Sequence, residues 1–300
     1  MVRVVILGSG ASLPTLYRQC AAVAVQYEGD VYLFDCGEGT QLQWRRAGLR
    51  FGRLRGIFIS HLHGDHLNGL VGLLQTLSLN DRSDSLRLYG PPGIADYWAA
   101  LGRYQGVRLG YPLEIVEAAP GLLLDATSHR IEAARLDHGP PTLGFALVES
   151  DKPGRFDVDL ATALGVQPGP LFGRLQNGET VRLDNGQVVV PDQVLGPTRA
   201  GRRVAYCVDT RPCRAAVDLA SNATVLVCDS TFGSELTEEA NARGHCTAAQ
   251  AAQMAAEANA QRLVLTHVSA RYHDARPLLA EATAVFAESS MGRDLMEIVL

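Results

Sequence analysis

The stretch Ile57-Phe58-Ile59-Ser60-His61-Leu62-His63-Gly64-Asp65-His66-Leu67 decides how this 300-residue chain is read. Residues 57–60 are apolar and rich in β-favouring side chains, the pattern of a buried strand. Behind them Leu67, Leu70, Val71, Leu73, Leu74 and Leu77 recur at helical spacing. The histidines therefore occupy a tight loop between a strand end and a helix start. Gly64 lets that loop turn sharply enough for its side chains to converge. Three of the chain's eight histidines and one carboxylate fall within six positions. Packing so many ionisable groups together is costly unless a shared cation offsets it. Imidazole with carboxylate suits zinc or, less specifically, manganese or iron. The loop reads as a metal site.

Composition bounds the rest. At 47% hydrophobic and 20% charged, the chain has the profile of a globular protein with a sizeable core. No stretch approaches the roughly 18 uninterrupted apolar residues of a membrane span, and residues 1–8 lack the pattern of a signal peptide. No membrane partner and a cytoplasmic location are expected. The six cysteines form no C-x-x-C pair, and several lie in apolar runs as buried thiols would. The net charge of -5 argues weakly against a nucleic-acid partner. Its distribution matters more: Arg45, Arg46, Arg50, Arg53 and Arg55 form one basic run, and Arg199, Arg202 and Arg203 another. Lys152 is the only lysine.

Strands are expected at 2–7, 22–27, 31–35, 57–60, 86–90, 112–117, 130–137 and 143–149, with helices at 40–47, 67–79 and 93–105. Thereafter strands at 203–208, 224–228, 262–266 and 295–299 alternate with helices at 213–220, 247–259 and 276–287. Sheets in both halves with helices beside them suggest a layered α/β sandwich. Residues 151–202 break this pattern with repeated turn signals: Pro153-Gly154, Pro168-Gly169-Pro170, Asn177-Gly178, Asn185-Gly186 and Gly196-Pro197. Residues 182–188 read as a small hairpin around an Asn-Gly turn. The segment is expected to be a structured insertion projecting from the core. The Gly8-Ser9-Gly10 turn after the first strand lacks the third glycine of a nucleotide-binding loop and reads as a tight turn near the site.

A catalytic zinc site draws ligands from several strand ends. His138, Asp209 and His267 each follow an apolar, strand-like run, where ligands bind in layered α/β folds. Each alone has a bland alternative as a capping carboxylate or a core histidine; their shared placement favours the ligand reading.

At this point the chain resembles the metallo-β-lactamase superfamily and, within it, the ribonuclease Z family of tRNA 3′-processing endonucleases. The H-x-H-x-D-H run at 61–66 carries the superfamily. More specific are Phe34-Asp35-Cys36-Gly37-Glu38-Gly39-Thr40-Gln41, Tyr89-Gly90-Pro91, Tyr206-Cys207-Val208-Asp209-Thr210-Arg211 and Leu265-Thr266-His267-Val268-Ser269-Ala270-Arg271-Tyr272. In the inserted segment, Pro168-Gly169-Pro170-Leu171-Phe172 and Gly178-Glu179-Thr180-Val181 are similar to the family's tRNA-gripping arm.

The resemblance implies a single four-layer αβ/βα domain over 1–300 with a flexible exosite arm at 151–202, a homodimer and two metal ions, usually zinc. Manganese fits the same donors. By motif, His61, His63 and His138 would hold one metal, Asp65, His66 and His267 the other, with Asp209 bridging. A hydroxide oriented by Asp65 would attack phosphorus, and His245, held by Asp229, would assist departure of the 3′ oxygen. The substrate would be precursor tRNA, left with a 3′-hydroxyl, and Arg18, Arg271, Pro168, Gly169 and Pro170 would contact it. The chain departs from the family pattern at Leu16, Arg18 and Gln19, where a lysine and an Arg-Asn pair are usual. Cys228-Asp229-Ser230 likewise stands in place of His-Glu-Ala. A small-molecule phosphodiesterase or lactonase of the same fold is the alternative.

Overall fold

The apolar runs become strands because each can be buried on both faces. Strand β1 (Val2–Gly8) is buried at every position but Arg3. It is followed by β2 (Ala22–Tyr27), β3 (Asp30–Phe34), β4 (Leu54–Phe58), β5 (Leu86–Gly90), β6 (Leu113–Glu117), β7 (Gly121–Asp125), β8 (His129–Leu136) and β9 (Thr142–Glu149). After the short pair β10 (Val181–Arg182) and β11 (Val188–Val189) come β12 (Arg203–Cys207), β13 (Val225–Asp229), β14 (Leu263–Thr266), β15 (Ser289–Met291) and β16 (Met296–Val299). A computed structural model describes all residues, Met1–Leu300. The chain divides into two compact units, Met1–Val148 with Arg203–Leu300, and Glu149–Arg202.

In the larger unit, one seven-stranded sheet runs β16-β1-β2-β3-β4-β5-β6 and the other β15-β14-β13-β12-β9-β8-β7. Between them lies an aromatic core in which Phe34 stacks on Phe145 with ring centroids 5.6 Å apart and Tyr206 sits 5.8 Å from Phe34. The outer face of the first sheet is covered by helices Thr40–Arg46, Leu70–Leu79 and Ile94–Gln105 through Trp44, Leu73, Leu77 and Ile94. Helices Arg214–Leu219, Ala248–Glu257 and Arg276–Val285 cover the second through Ala216, Ala251, Ala255 and Leu278. The layers are helix, sheet, sheet, helix, the expected αβ/βα sandwich. Thr247 caps its alanine-rich helix with a reciprocal Gln250 bond. No helix is long and apolar enough to cross a membrane.

Some expected elements shift. The helix at 67–79 is two pieces, Gly64–Leu67 and Leu70–Leu79. The break is set by close packing: a Cβ on Gly69 would lie 2.1 Å from the Gly37 carbonyl oxygen, and Gly69 N donates to the Cys36 carbonyl at 2.9 Å. Strands β7 and β15 lie outside the expected set. The first is a mostly exposed edge and the second reads Ser-Ser-Met, so pairing with a neighbour made them strands, not apolar patterning.

The smaller unit has its own core of Ala161, Val166, Leu175, Val181, Val189 and Val194. Around it stand helices Val158–Ala163 and Pro170–Gln176 and the β10–β11 hairpin, which turns at Gly186 with φ +86°. Its two ends are joined by Glu149. One carboxylate oxygen accepts Arg202 Nε at 2.7 Å, and the other accepts Arg202 Nη2 at 2.8 Å and Lys152 Nζ at 2.7 Å.

Candidate metal centre

Six strands of the larger unit end around one point. After β3 comes Asp35, after β4 His61 to His66, after β8 His138, after β12 Asp209, at the end of β13 Asp229, and after β14 His267. All seven expected ligands are brought together there in two groups, overlapped by a third set of close donors, Asp209, Asp229, His245 and His267. In one, His63 Nδ1 is 2.9 Å from His61 Nε2 and 3.3 Å from His138 Nε2. Asp209 Oδ2 is 3.7 Å from both His61 Nε2 and His138 Nε2. In the other, His267 Nε2 lies 3.2 Å from His66 Nε2 and 3.3 Å from Asp65 Oδ2. Asp209 reaches this group as well, with Oδ2 3.5 Å from His66 Nε2 and Oδ1 3.2 Å from His267 Nε2.

Those spacings decide what the cluster fits. Metal–ligand bonds of about 2.0–2.2 Å put tetrahedral donors roughly 3.3–3.6 Å apart. Asp209 Oδ1 is buried and has no hydrogen-bond partner, a state that a neighbouring cation relieves and that is otherwise costly. A divalent metal fits these residues.

The histidine tautomers are set from behind. Gly244 O lies 2.8 Å from His138 Nδ1, and a carbonyl only accepts, so the proton sits on Nδ1 and the Nε2 lone pair faces inward. Asp35 Oδ2 does the same for His66 at 2.7 Å. Ser60 Oγ donates to Asp35 Oδ2 at 2.8 Å and so accepts from His61 Nδ1 at 3.0 Å. Thr231 Oγ1 donates to Asp229 Oδ1 and accepts from His267 Nδ1, at 2.7 and 2.8 Å. Such bonds orient metal-binding imidazoles and raise their basicity. Asp35 also accepts from Tyr206 Oη at 2.7 Å, which ties strand ends of the two sheets together.

Burial favours the neutral form of two of the imidazoles, His61 and His138, beside a charged Asp209. Burial, reinforced by His66, pushes His61 down to about 2. Burial also lowers His138, against the pull of Asp209. Asp209 stays far below the usual carboxylate range: burial alone would raise it, but His267 and His66 outweigh that. His66 is the exception, held up because Asp209 and Asp35 overcome its burial. His245 is different in kind. Burial disfavours its charge, yet Asp229, 2.8 Å from Nδ1, holds it up at about 9. Asp229 also accepts from Thr210 N and Thr231 N, so its oxygens are committed to hydrogen bonds. His245 and Asp229 thus form a hydrogen-bonded pair at the edge of the donor cluster, with His245 Nδ1 3.9 Å from Asp209 Oδ2 and its ring 5.3 Å from that of His267.

Of the residues expected at the substrate, Arg271 is exposed beside the dyad. Its guanidinium lies 4.8 Å over the Phe232 ring and pairs with Glu239 at 3.1 Å, and Phe232 is 6.0 Å from His245. Arg18 is engaged internally: its Nη1 donates to Ser9 Oγ and Gly292 O, each at 2.7 Å. It lines a groove of about 430 Å³ with Tyr17, Tyr272 and Asp294. Pro168, Gly169 and Pro170 are exposed in the smaller unit, where Pro170 opens a helix. Sequence reasoning assigned no role to Asp35, Ser60, Thr231, Tyr206 or Gly244. Asp35 alone carried a signal, a carboxylate closing a wholly apolar strand. Gly244 has φ +79°, and a Cβ there would sit 2.1 Å from His138 O.

Comparison with known proteins places this geometry. The profile of the Anti-Pycsar protein Apyc1 matches residues 2–100 and that of the Beta-lactamase superfamily domain matches residues 174–268. The chain is 42% identical to Ribonuclease Z of Methanosarcina acetivorans, with 99% of this chain and 98% of that one covered. It is 45% identical to Ribonuclease Z of Salinibacter ruber, covering 98% and 93%. Among solved structures it is similar to the short form of human tRNase Z, with a TM-score of 0.69 and 28% identity over 99% of this chain and 98% of that one. With whole-length identity at this level, the chain belongs to the ribonuclease Z family of tRNA 3′-processing endoribonucleases, within the metallo-β-lactamase superfamily.

Proposed function

We propose that this protein is a metal-dependent endoribonuclease that removes the 3′ trailer of precursor tRNA. One observation carries the reading: seven donors at metal-ligand spacing share a single bridging-capable carboxylate, Asp209, with the hydrogen-bonded pair of His245 and Asp229 at their edge. His61, His63 and His138 would hold one ion, Asp65, His66 and His267 the other, with Asp209 between them. Zinc is the ion these nitrogen-rich donors suit best, and manganese the competitor. Bound divalent cations supply an acidified water and stabilise charge on the phosphoryl oxygens. The chain's own residues do the rest. Asp65, whose Oδ2 accepts from Ser12 N at 2.7 Å, is held in one orientation beside the attack site. His245 would deliver a proton to the departing 3′ oxygen, while Asp229, 2.8 Å from its Nδ1, fixes the ring and favours its charged form.

The substrate reading rests on family membership and on the inserted unit. In this reading residues 151–202 form a tRNA-gripping arm with Pro168-Gly169-Pro170 at its contact, and Arg271 and Arg18 bind near the cut. A homodimer in a reducing cytoplasm completes the proposal, supported by the family and by six unpaired cysteines. The test is to incubate the purified protein with a 3′-extended tRNA, with and without chelator, and map the ends. A single cut at the trailer junction, leaving a 3′-hydroxyl and abolished by chelation, is expected. Cleavage of small phosphodiesters or lactones with no cut in the tRNA would favour the small-molecule alternative.

A further inference from the structure

The loop at residues 9–19 touches the donor cluster twice without belonging to it. Ser12 N donates to Asp65 Oδ2 at 2.7 Å. Val268, the residue after His267, exchanges backbone hydrogen bonds with Ser9 O at 3.0 Å and Ala11 N at 3.1 Å. No apolar anchor holds its outer part, since Leu13, Leu16 and Tyr17 are exposed. Ser12 itself has φ +65°, a left-handed conformation that persists only where the surroundings impose it.

A carboxylate from the other end of the chain bonds both ends of this loop. Asp294 Oδ1 accepts from Ser9 N at 3.1 Å and Ser9 Oγ at 2.7 Å, and Oδ2 accepts from Gln19 N at 2.7 Å and Gln43 Nε2 at 3.1 Å. Two of its bonds end on Ser9 and one on Gln19, the two ends of the loop. The neck is closed by Gly10 N donating to Gln19 O at 2.9 Å, and Arg18 braces Ser9 Oγ from the outside. All four carboxylate acceptor sites are thus in use.

We infer that Asp294 is a positioning residue for the metal centre: by gripping both ends of the 9–19 loop it holds Ser12 N against Asp65 and so fixes the orientation of that ligand. The inference rests on the reading of Asp65 as a metal ligand. Asp294 touches neither substrate nor metal and acts only through the loop.

The experiment compares Asp294→Asn with the parent and with Glu297→Gln, a control that removes another carboxylate near the same terminus, one paired with Arg3. An amide keeps one acceptor but turns an N–H donor toward the N–H groups on one side, so half of the grip is lost. Hydrogen exchange in metal-free protein is expected to speed up about tenfold or more at residues 10–19 and stay parental in β1 and β14. Release of bound zinc to a chelator is expected to accelerate about 10- to 100-fold, the usual effect of losing an outer support of a ligand. On a chromogenic phosphodiester, kcat should fall with little change in KM. Ser9→Ala, which removes the hydroxyl with its bonds to Asp294 and from Arg18 but keeps the three other bonds of the carboxylate, should show the same pattern more weakly and serves if Asp294→Asn folds poorly. A lowered melting temperature with parental loop exchange and parental zinc release would overturn the inference. Failure of the parent to bind zinc would instead overturn the ligand reading, while the loop-exchange result would still decide whether Asp294 holds the loop.

Discussion

The donor cluster and the Glu149–Arg202 unit are built in opposite ways. The cluster gathers side chains from both sheets, with His66 and His267 touching across 201 positions of sequence; five of its seven donors are buried, Asp65 is half-buried and His63 exposed. The smaller unit closes within about fifty residues around six buried aliphatic side chains, and at its neck the two ends are joined by the Glu149 ion pairs and by backbone pairing of Lys152 with Arg199. The lesson is one of coupling. A change at the cluster is expected to reach its neighbours through shared partners such as Asp209 and Asp35, and a change in the inserted unit to act on that unit's own core. Chemistry and substrate choice are therefore expected to separate cleanly by mutation.

The sharpest way to break this comparison is Asp209→Ala. Both donor groups lose their common oxygen, so hydrolysis of every substrate should drop to the chelated baseline and metal analysis should show fewer ions per chain. Retention of full metal content would mean that Asp209 is not shared. Removing residues 151–200 is the counterpart: cleavage of precursor tRNA should be lost while a chromogenic phosphodiester is still turned over. Equal loss of both would end the separation.

His245→Ala probes the dyad inside the cluster's own unit. It should lower kcat about 10²- to 10⁴-fold, the range for a lost general acid, with metal content unchanged. Cleavage at the parental rate would remove His245 from the mechanism. Gly244→Ala is smaller in chemistry but instructive. The added Cβ collides with His138 O in a residue whose φ is +79°, so His138 must shift. Zinc affinity should weaken about 10- to 100-fold, measured by competition with a chelating dye.

The smallest effect is expected at the neck. Hydrogen bonding to Arg202, opposed by burial and helped by Lys152, holds Glu149 down at about 2. Its folded value is depressed, so its stabilisation is present above the ordinary value of about 4.5 and is lost as pH falls from there toward 2. Glu149→Gln should cost about 1–3 kcal/mol at neutral pH and flatten that acid dependence, read by thermal melts between pH 2 and 6. Metal release on the same descent, which follows protonation of the ligands, is to be read separately by metal analysis. Loss of metal and loss of the neck in one step would contradict the independence of the two regions.

The strand-end placement of His61, His63, Asp65, His66, His138, Asp209 and His267 was legible because apolar runs announce strands, and a polar residue just past such a run stands out. Their donor types likewise announced a metal, and the turn signals at 151–202 marked an insertion. These are local properties of spacing and chemistry, and the sequence by itself determined them. Only the tertiary structure decided that Asp209 faces both donor groups, that Asp229 lies 2.8 Å from His245 Nδ1, and that Asp35 and Tyr206 tie the two sheets behind His66. The same holds for Ser12, whose contact with Asp65 depends on a loop gripped by Asp294 from the far end of the chain. A hydrogen bond across more than two hundred residues leaves no periodicity to read. It exists because two strand ends packed side by side, and a single carboxylate between them satisfied what water no longer could.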